Sequence, residues 1–112
     1  MSSLLKITGS DGSQKRNAND FYPTPDSATE AILNRELFSQ EVWEPACGDG
    51  AISKVLQKRS HNVISTDLID YGFGDSGRDF LFEQKLLAPD IITNPPFSLA
   101  HEFAQKALDL GV

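Results

Sequence analysis

Positive charge, cysteine and long apolar runs are all scarce in this chain of 112 residues, and each scarcity excludes something. Ten Lys and Arg stand against sixteen Asp and Glu, a formal net charge of −6. Gripping a polyanion needs clustered cations, so the chain cannot hold nucleic acid through its own overall charge. A lone cysteine, Cys47, excludes an internal disulfide and a structural zinc cluster, and a reducing, cytoplasmic setting is expected. No apolar run approaches the roughly 20 residues that span a bilayer, and Met1–Lys6 lacks a signal-peptide apolar segment, so no membrane partner is expected. The two histidines, His61 and His101, have no carboxylates at ligand spacing, so no metal site is predicted.

The 39% hydrophobic content and seven Phe suffice for one small globular domain with a modest core. Residues 1–20, rich in Ser, Gly, Asn and Lys without apolar periodicity, read as a flexible N-terminal arm, and residues 21–112 as the domain. Phe21-Tyr22-Pro23-Thr24-Pro25 is an extended, proline-stiffened lead into a helix over about Asp26–Leu37. Pro25 suits its first turn, Ser27 with Glu30 makes a capping-box pattern, and Ala28, Ala31, Ile32 and Leu37 or Phe38 form its apolar stripe.

Glu41–Glu44 reads as a strand, Pro45–Gly50 as a tight turn, and Ala51 to about Arg59 as a helix with Ile52, Val55 and Leu56 on one face. Asn62–Thr66 is a second strand ending at Asp67, and the three glycines in residues 70–78 mark a loop. Arg78–Phe82 suits a short strand or turn, and Asp90–Thr93 a further strand. Ser98 can cap a last helix through about Leu110, with Leu99, Phe103, Ala107 and Leu110 inward. Strands alternating with helices predict an α/β unit, a Rossmann-like parallel sheet flanked by helices.

Two strings carry chemistry. In Asp90-Ile91-Ile92-Thr93-Asn94-Pro95-Pro96-Phe97, adjacent prolines force the backbone out of the sheet just after Asn94. A carboxamide, a proline carbonyl and an aromatic ring then gather at a strand's C-terminal edge, where open α/β sheets bind ligands. That grouping suits a planar group bearing an –NH2: Asn94 and Pro95 can accept from its N–H groups while Phe97 stacks on the ring. In Glu44-Pro45-Ala46-Cys47-Gly48-Asp49-Gly50, the glycines allow close approach, the following helix N-terminus suits an anion, and Glu44 and Asp49 suit an ammonium group. An ordinary strand–turn–helix connection uses the same glycines for geometry alone.

Asp67, at the next strand end, suits the hydroxyls of a ribose, although a turn Asp is the better reading if it stands alone. Ser53 occupies the third glycine position of a nicotinamide-binding turn, which makes a dehydrogenase a poor fit. Asp79-Phe80, taken alone, is a turn and a core aromatic. Cys47, inside a glycine turn, is a small packing residue.

Taken in order, these strings resemble S-adenosylmethionine-dependent DNA adenine-N6 methyltransferases. The segment Phe21–Pro25, the Glu44–Gly50 turn, Asp67, Asp79-Phe80 and Asn94–Phe97 match five successive motifs of that family over residues 21–110. The resemblance implies a methyltransferase fold with S-adenosylmethionine as cofactor. Thr24, Glu44, Ala46 and Gly48 would surround its methionine end, Asp67 its ribose, and Asp79 with Phe80 its adenine. Asn94, Pro95, Pro96 and Phe97 would hold an adenine flipped out of DNA.

In the family, further strands and a target-recognition region follow the last of these motifs. An incomplete sheet and a truncated or split enzyme are therefore expected. DNA would be bound weakly or only through a missing C-terminal half, and a second polypeptide could cover the exposed edge of the Asp90–Thr93 strand. The alternatives are an inactive cofactor-binding remnant or interaction module, and a methyltransferase of protein glutamine or an RNA base.

Overall fold

The computed structural model describes residues 23–112 and the backbone of a short strand at Leu5–Ile7. Strands β1 (Leu5–Ile7), β2 (Glu41–Glu44), β3 (Asn62–Ser65) and β4 (Asp90–Thr93) form one parallel sheet in the order β1-β4-β2-β3. Helices α1 (Asp26–Arg35), α2 (Ala51–Lys58) and α3 (Ala100–Leu110) flank it. The expected α/β unit with a parallel sheet is present.

The period of two along β2 and β4 divides the core into two layers. Val42 of β2 and Ile92 of β4 point to one face, where Phe38, Ile52 and Leu56 cover them. Trp43 and Ile91 point to the other, where Phe80, Ala88, Phe103 and Ala107 pack. All four residues of β4 are buried, as the run Asp-Ile-Ile-Thr requires of a strand covered on both sides. Helix α2 thus lies on one face and α3 on the other. The anticipated inward residues Ile52, Val55, Leu56, Leu99, Phe103, Ala107 and Leu110 all pack inward.

Strand order decides where a ligand can enter. From β2 the chain crosses through α2 to β3 on one side, then returns through residues 66–89 to β4 on the other side of β2. The turns after β2 and β4 diverge toward opposite faces. A crevice opens between their C-terminal ends, the switch point of an open parallel sheet.

Several expectations fail for local reasons. Leu5–Ile7 lies within the stretch read as an arm, yet it pairs in parallel with β4, Leu5 opposite Ile91 and Ile7 opposite Thr93. Its alternation Leu-Lys-Ile is compatible with a strand, but three residues are too short to read as one from sequence. The expected open edge at β4 is therefore wrong: β4 is interior, between β1 and β2. The rest of the arm, and Phe21 and Tyr22, lie outside the described residues.

No capping box forms at α1, because the helix starts at Asp26 with Pro25 itself in the N-cap position, which puts Ser27 inside the first turn. Its buried face is Thr29 with Ile32 and Leu33, while Leu37 lies beyond the helix end and is 95% exposed. Ser98 does not cap α3, because a 3-10 turn at Phe97–Leu99 leads directly into the helix. Of the strand or turn expected at Arg78–Phe82 the turn is present, a 3-10 turn at Phe80–Phe82 capped by the Asp79 carboxylate, which accepts from Leu81 N at 3.0 Å.

Candidate functional site

At the switch point a cavity of about 270 Å³ opens between the turns after β2 and β4. The first turn is held by its glycines. Gly50 sits at φ +93°, and a Cβ there would lie 2.8 Å from the Phe73 ring, so only glycine fits without displacing that ring. Gly50 N donates to Cys47 O at 2.8 Å, and Cys47 N donates to Thr66 O at 3.0 Å, which carries the β2–β3 ladder into the turn.

Glu44 forms part of the cavity wall and is 1% exposed. Its Oε2 accepts from Ala46 N at 3.0 Å and from the Thr93 hydroxyl at 2.7 Å. Burial disfavours the carboxylate and, despite these two bonds, pushes the group up from 4.5 to about 8. The side chain is thus mostly protonated at neutral pH. A cation placed beside it would draw off that proton.

Asp67 closes the other side of the glycine turn. Its Oδ2 accepts from Gly48 N at 2.9 Å and its Oδ1 from Ile69 N at 2.9 Å. A carboxylate offers about four lone-pair sites, so two such bonds leave acceptor capacity for a ligand. The Cys47 thiol, buried beside Glu44 and Asp67, is pushed up to about 12, first by burial and then by these carboxylates. It remains a thiol, as its packing role requires.

All seven residues singled out for a cofactor line this one cavity: Thr24, Glu44, Ala46, Gly48, Asp67, Asp79 and Phe80. Phe80 does so from inside the core, its ring edge-on to Trp43 at 5.2 Å and 4.9 Å from Phe103. Asp79 and Phe80 are also the turn cap and core aromatic of the plainer reading. Asn94 and Pro96 reach the same cavity from the turn after β4, and Asn94 Nδ2 donates to Thr24 Oγ1 at 3.0 Å. Pro95 is buried and Phe97 is 51% exposed, and neither belongs to the cavity wall.

Sequence reasoning missed Leu68, Ile69, Tyr71, Ser98, Leu99 and Phe103 as wall residues. Leu68 and Ile69 directly follow Asp67, a position that could have signalled them. The other four reach the cavity only through the path of their loop or helix. Among the described residues, the wall includes Glu44, Asp49, Asp67 and Asp79 and no Lys, Arg or His. Such a site suits a cationic or neutral ligand and disfavours a phosphate. Among the described residues no helix is long and apolar enough to cross a membrane. Comparison with protein-family models, with curated proteins and with solved structures finds no match.

Proposed function

We propose that the chain binds S-adenosylmethionine and serves methyl transfer to the exocyclic amine of adenine in DNA. The observation that carries this reading is the cavity at the switch point. It joins the acidic glycine turn, Asp67 and Asp79-Phe80 to Asn94 within one space. S-adenosylmethionine carries a sulfonium and an ammonium, and the carboxyl groups of Glu44 and Asp49, with no basic side chain in the described wall, suit that charge. The apolar surfaces of Phe80, Leu68 and Ile69 suit its adenine, and the remaining acceptor capacity of Asp67 suits its ribose.

When bound, the cofactor supplies a methyl group on positively charged sulfur, whose bonding electrons stay with sulfur as a neutral thioether. The chain's own part is to hold and orient. Glu44 gives up its proton and faces the ammonium as a carboxylate. Asn94, on the cavity wall, accepts from one N–H group of the target amine, and the motif order alone assigns the other N–H to the carbonyl of Pro95, which the wall does not include. Those bonds strengthen as the nitrogen bonds to the methyl carbon and becomes tetrahedral and charged, so they stabilise the transition state more than the ground state, and the proton the methylated nitrogen then sheds passes to solvent. Phe97, half-exposed and next in sequence to the wall residues Pro96 and Ser98, offers its ring as a stacking surface for the base.

Titration calorimetry with S-adenosylmethionine tests the first half, with Asp67→Ala as the control expected to lose binding. No heat of binding to the unsubstituted chain sinks the proposal. Transfer of a labelled methyl group to unmethylated DNA, lost in Asn94→Ala, tests the second half. Binding without transfer assigns the chain to a cofactor-binding module instead.

A further inference from the structure

We propose that β3 is an edge at which two copies of the chain pair antiparallel, about a two-fold axis beside Val63. The sheet order β1-β4-β2-β3 leaves β3 outermost, with β2 on one side only. Successive residues of a strand aim their backbone groups to opposite sides. Asn62 N donates to Gln40 O at 2.8 Å and Thr66 N to Glu44 O at 3.0 Å, so Asn62, Ile64 and Thr66 serve β2. His61, Val63 and Ser65 therefore aim theirs outward. Two of those outward groups are used within the fold: His61 N donates to Leu56 O at 3.0 Å, and Ser65 O accepts from Asp75 N at 3.0 Å. Among the described residues the others, His61 O, Val63 N, Val63 O and Ser65 N, have no backbone partner.

These free groups complement one another, which is why the occupant is a second copy. With Val63 opposite Val63 of that copy, the two residues exchange a pair of N–H to O bonds. Ser65 N of each copy then donates to His61 O of the other. The groups this register leaves over, His61 N and Ser65 O, are the two already satisfied. Shifting the register by two residues either way sets a free group against one already taken. The ends fit as well. Beyond Ser65 the outer side of β3 is occupied by Asp75, which bridges to Thr66. The second copy reaches that point at its Ser60, where φ of +69° has already turned its chain away. Exposed Asp75 of each copy then lies near exposed Lys58 of the other, opposite charges at both ends. His61–Ser65 holds no Lys or Pro to guard the edge, and Ile64 is 38% exposed.

Antiparallel pairing points the C-terminal ends of the two sets of strands in opposite directions, so the two cavities open at opposite ends of the joined sheet. The pairing is therefore independent of the proposed function. Sedimentation velocity on the full chain from about 10 µM to about 1 mM should show the mass rising from one chain toward two. The dissociation constant is expected on the order of 100 µM, the weak class that so short an edge implies. Val63→Pro removes a central donor without breaking a hydrogen bond inside the fold, and it should stay monomeric over the same range, with Trp43 fluorescence reporting that it is folded.

Cross-linking reads the register and needs no proline variant to fold. In a hydrogen-bonded antiparallel pair the Cα atoms lie about 5.5 Å apart, within disulfide reach, so oxidised Val63→Cys should run as a linked dimer. Cys47 is buried and does not compete. Asn62→Cys and Ile64→Cys each stand opposite the other position, out of reach of their own copy, and should not link. A chain that stays monomeric at the highest concentration overturns the proposal. So does a mass rise that persists in folded Val63→Pro, or linking at residue 62 or 64 as fast as at residue 63.

Discussion

Replacing Glu44 with Gln removes a carboxyl group that the fold buries against the cavity while keeping nearly the same shape. The structure raises this group from 4.5 to about 8, mainly by burial. At about 1.4 kcal/mol for each tenfold change in proton affinity, keeping it ionised in the folded state costs up to about 5 kcal/mol relative to the unfolded chain. The folded state holds its proton more tightly than the unfolded state, so stability falls as pH rises from 4.5 toward 8. Less than about 1 kcal/mol of that loss is expressed at pH 5, and about 4 kcal/mol by pH 8. A domain of this size has only about 5–15 kcal/mol in hand, so the effect is large.

The amide introduced by Glu44→Gln keeps an oxygen to accept from Ala46 N and the Thr93 hydroxyl, and it cannot ionise. Urea unfolding followed by the fluorescence of Trp43, the sole tryptophan, reads the difference at pH 5, 6, 7 and 8. Glu44→Gln should lie within about 1 kcal/mol of the unsubstituted chain at pH 5 and exceed it by several kcal/mol at pH 8. Cys47 and Tyr71 are also raised by burial, but their losses begin nearer pH 9 and leave this window clear. Parallel pH profiles for the two proteins would refute the assignment of a buried, protonated Glu44.

The same group makes ligand binding depend on pH. S-adenosylmethionine should bind more tightly as pH rises toward 8, by up to about tenfold per unit, with a proton released on binding that shows as a buffer-dependent calorimetric heat. Asp67→Ala should cost about 1–3 kcal/mol of stability even without ligand, because Gly48 N and Ile69 N lose their acceptor; urea unfolding measures it. Gly50→Ala should cost at least about 2 kcal/mol from positive φ and the contact with Phe73. Adding Phe73→Ala should relieve the contact and leave the φ strain, so a double-mutant cycle with no coupling would count against that packing.

Much of the site was legible because its chemistry is local. The glycine turn follows from Gly48 and Gly50, and the strand exit from Pro95-Pro96, and both stand where read. Ends and edges were less legible. Ser27 and Ser98 each have a capping pattern, yet Pro25 and the 3-10 turn at Phe97–Leu99 occupy those positions first. Leu37 fits a helical period but falls beyond the helix end and into solvent. The strand at Leu5–Ile7 needs β4 as its template, and no pattern within three residues announces a partner more than 80 positions away.

Turn geometry, strand runs and helix faces depend on neighbours a few residues apart, and the order of amino acids was enough to set them. Which turns would share a cavity was a different matter. It followed from the strand order β1-β4-β2-β3, which puts the ends of β2 and β4 side by side and sends α2 and α3 to opposite faces. The protonation of Glu44 and the bond from Asn94 to Thr24 likewise arise only in three dimensions. Burial depends on what covers a residue, and a hydrogen bond across 70 residues depends on where the chain returns.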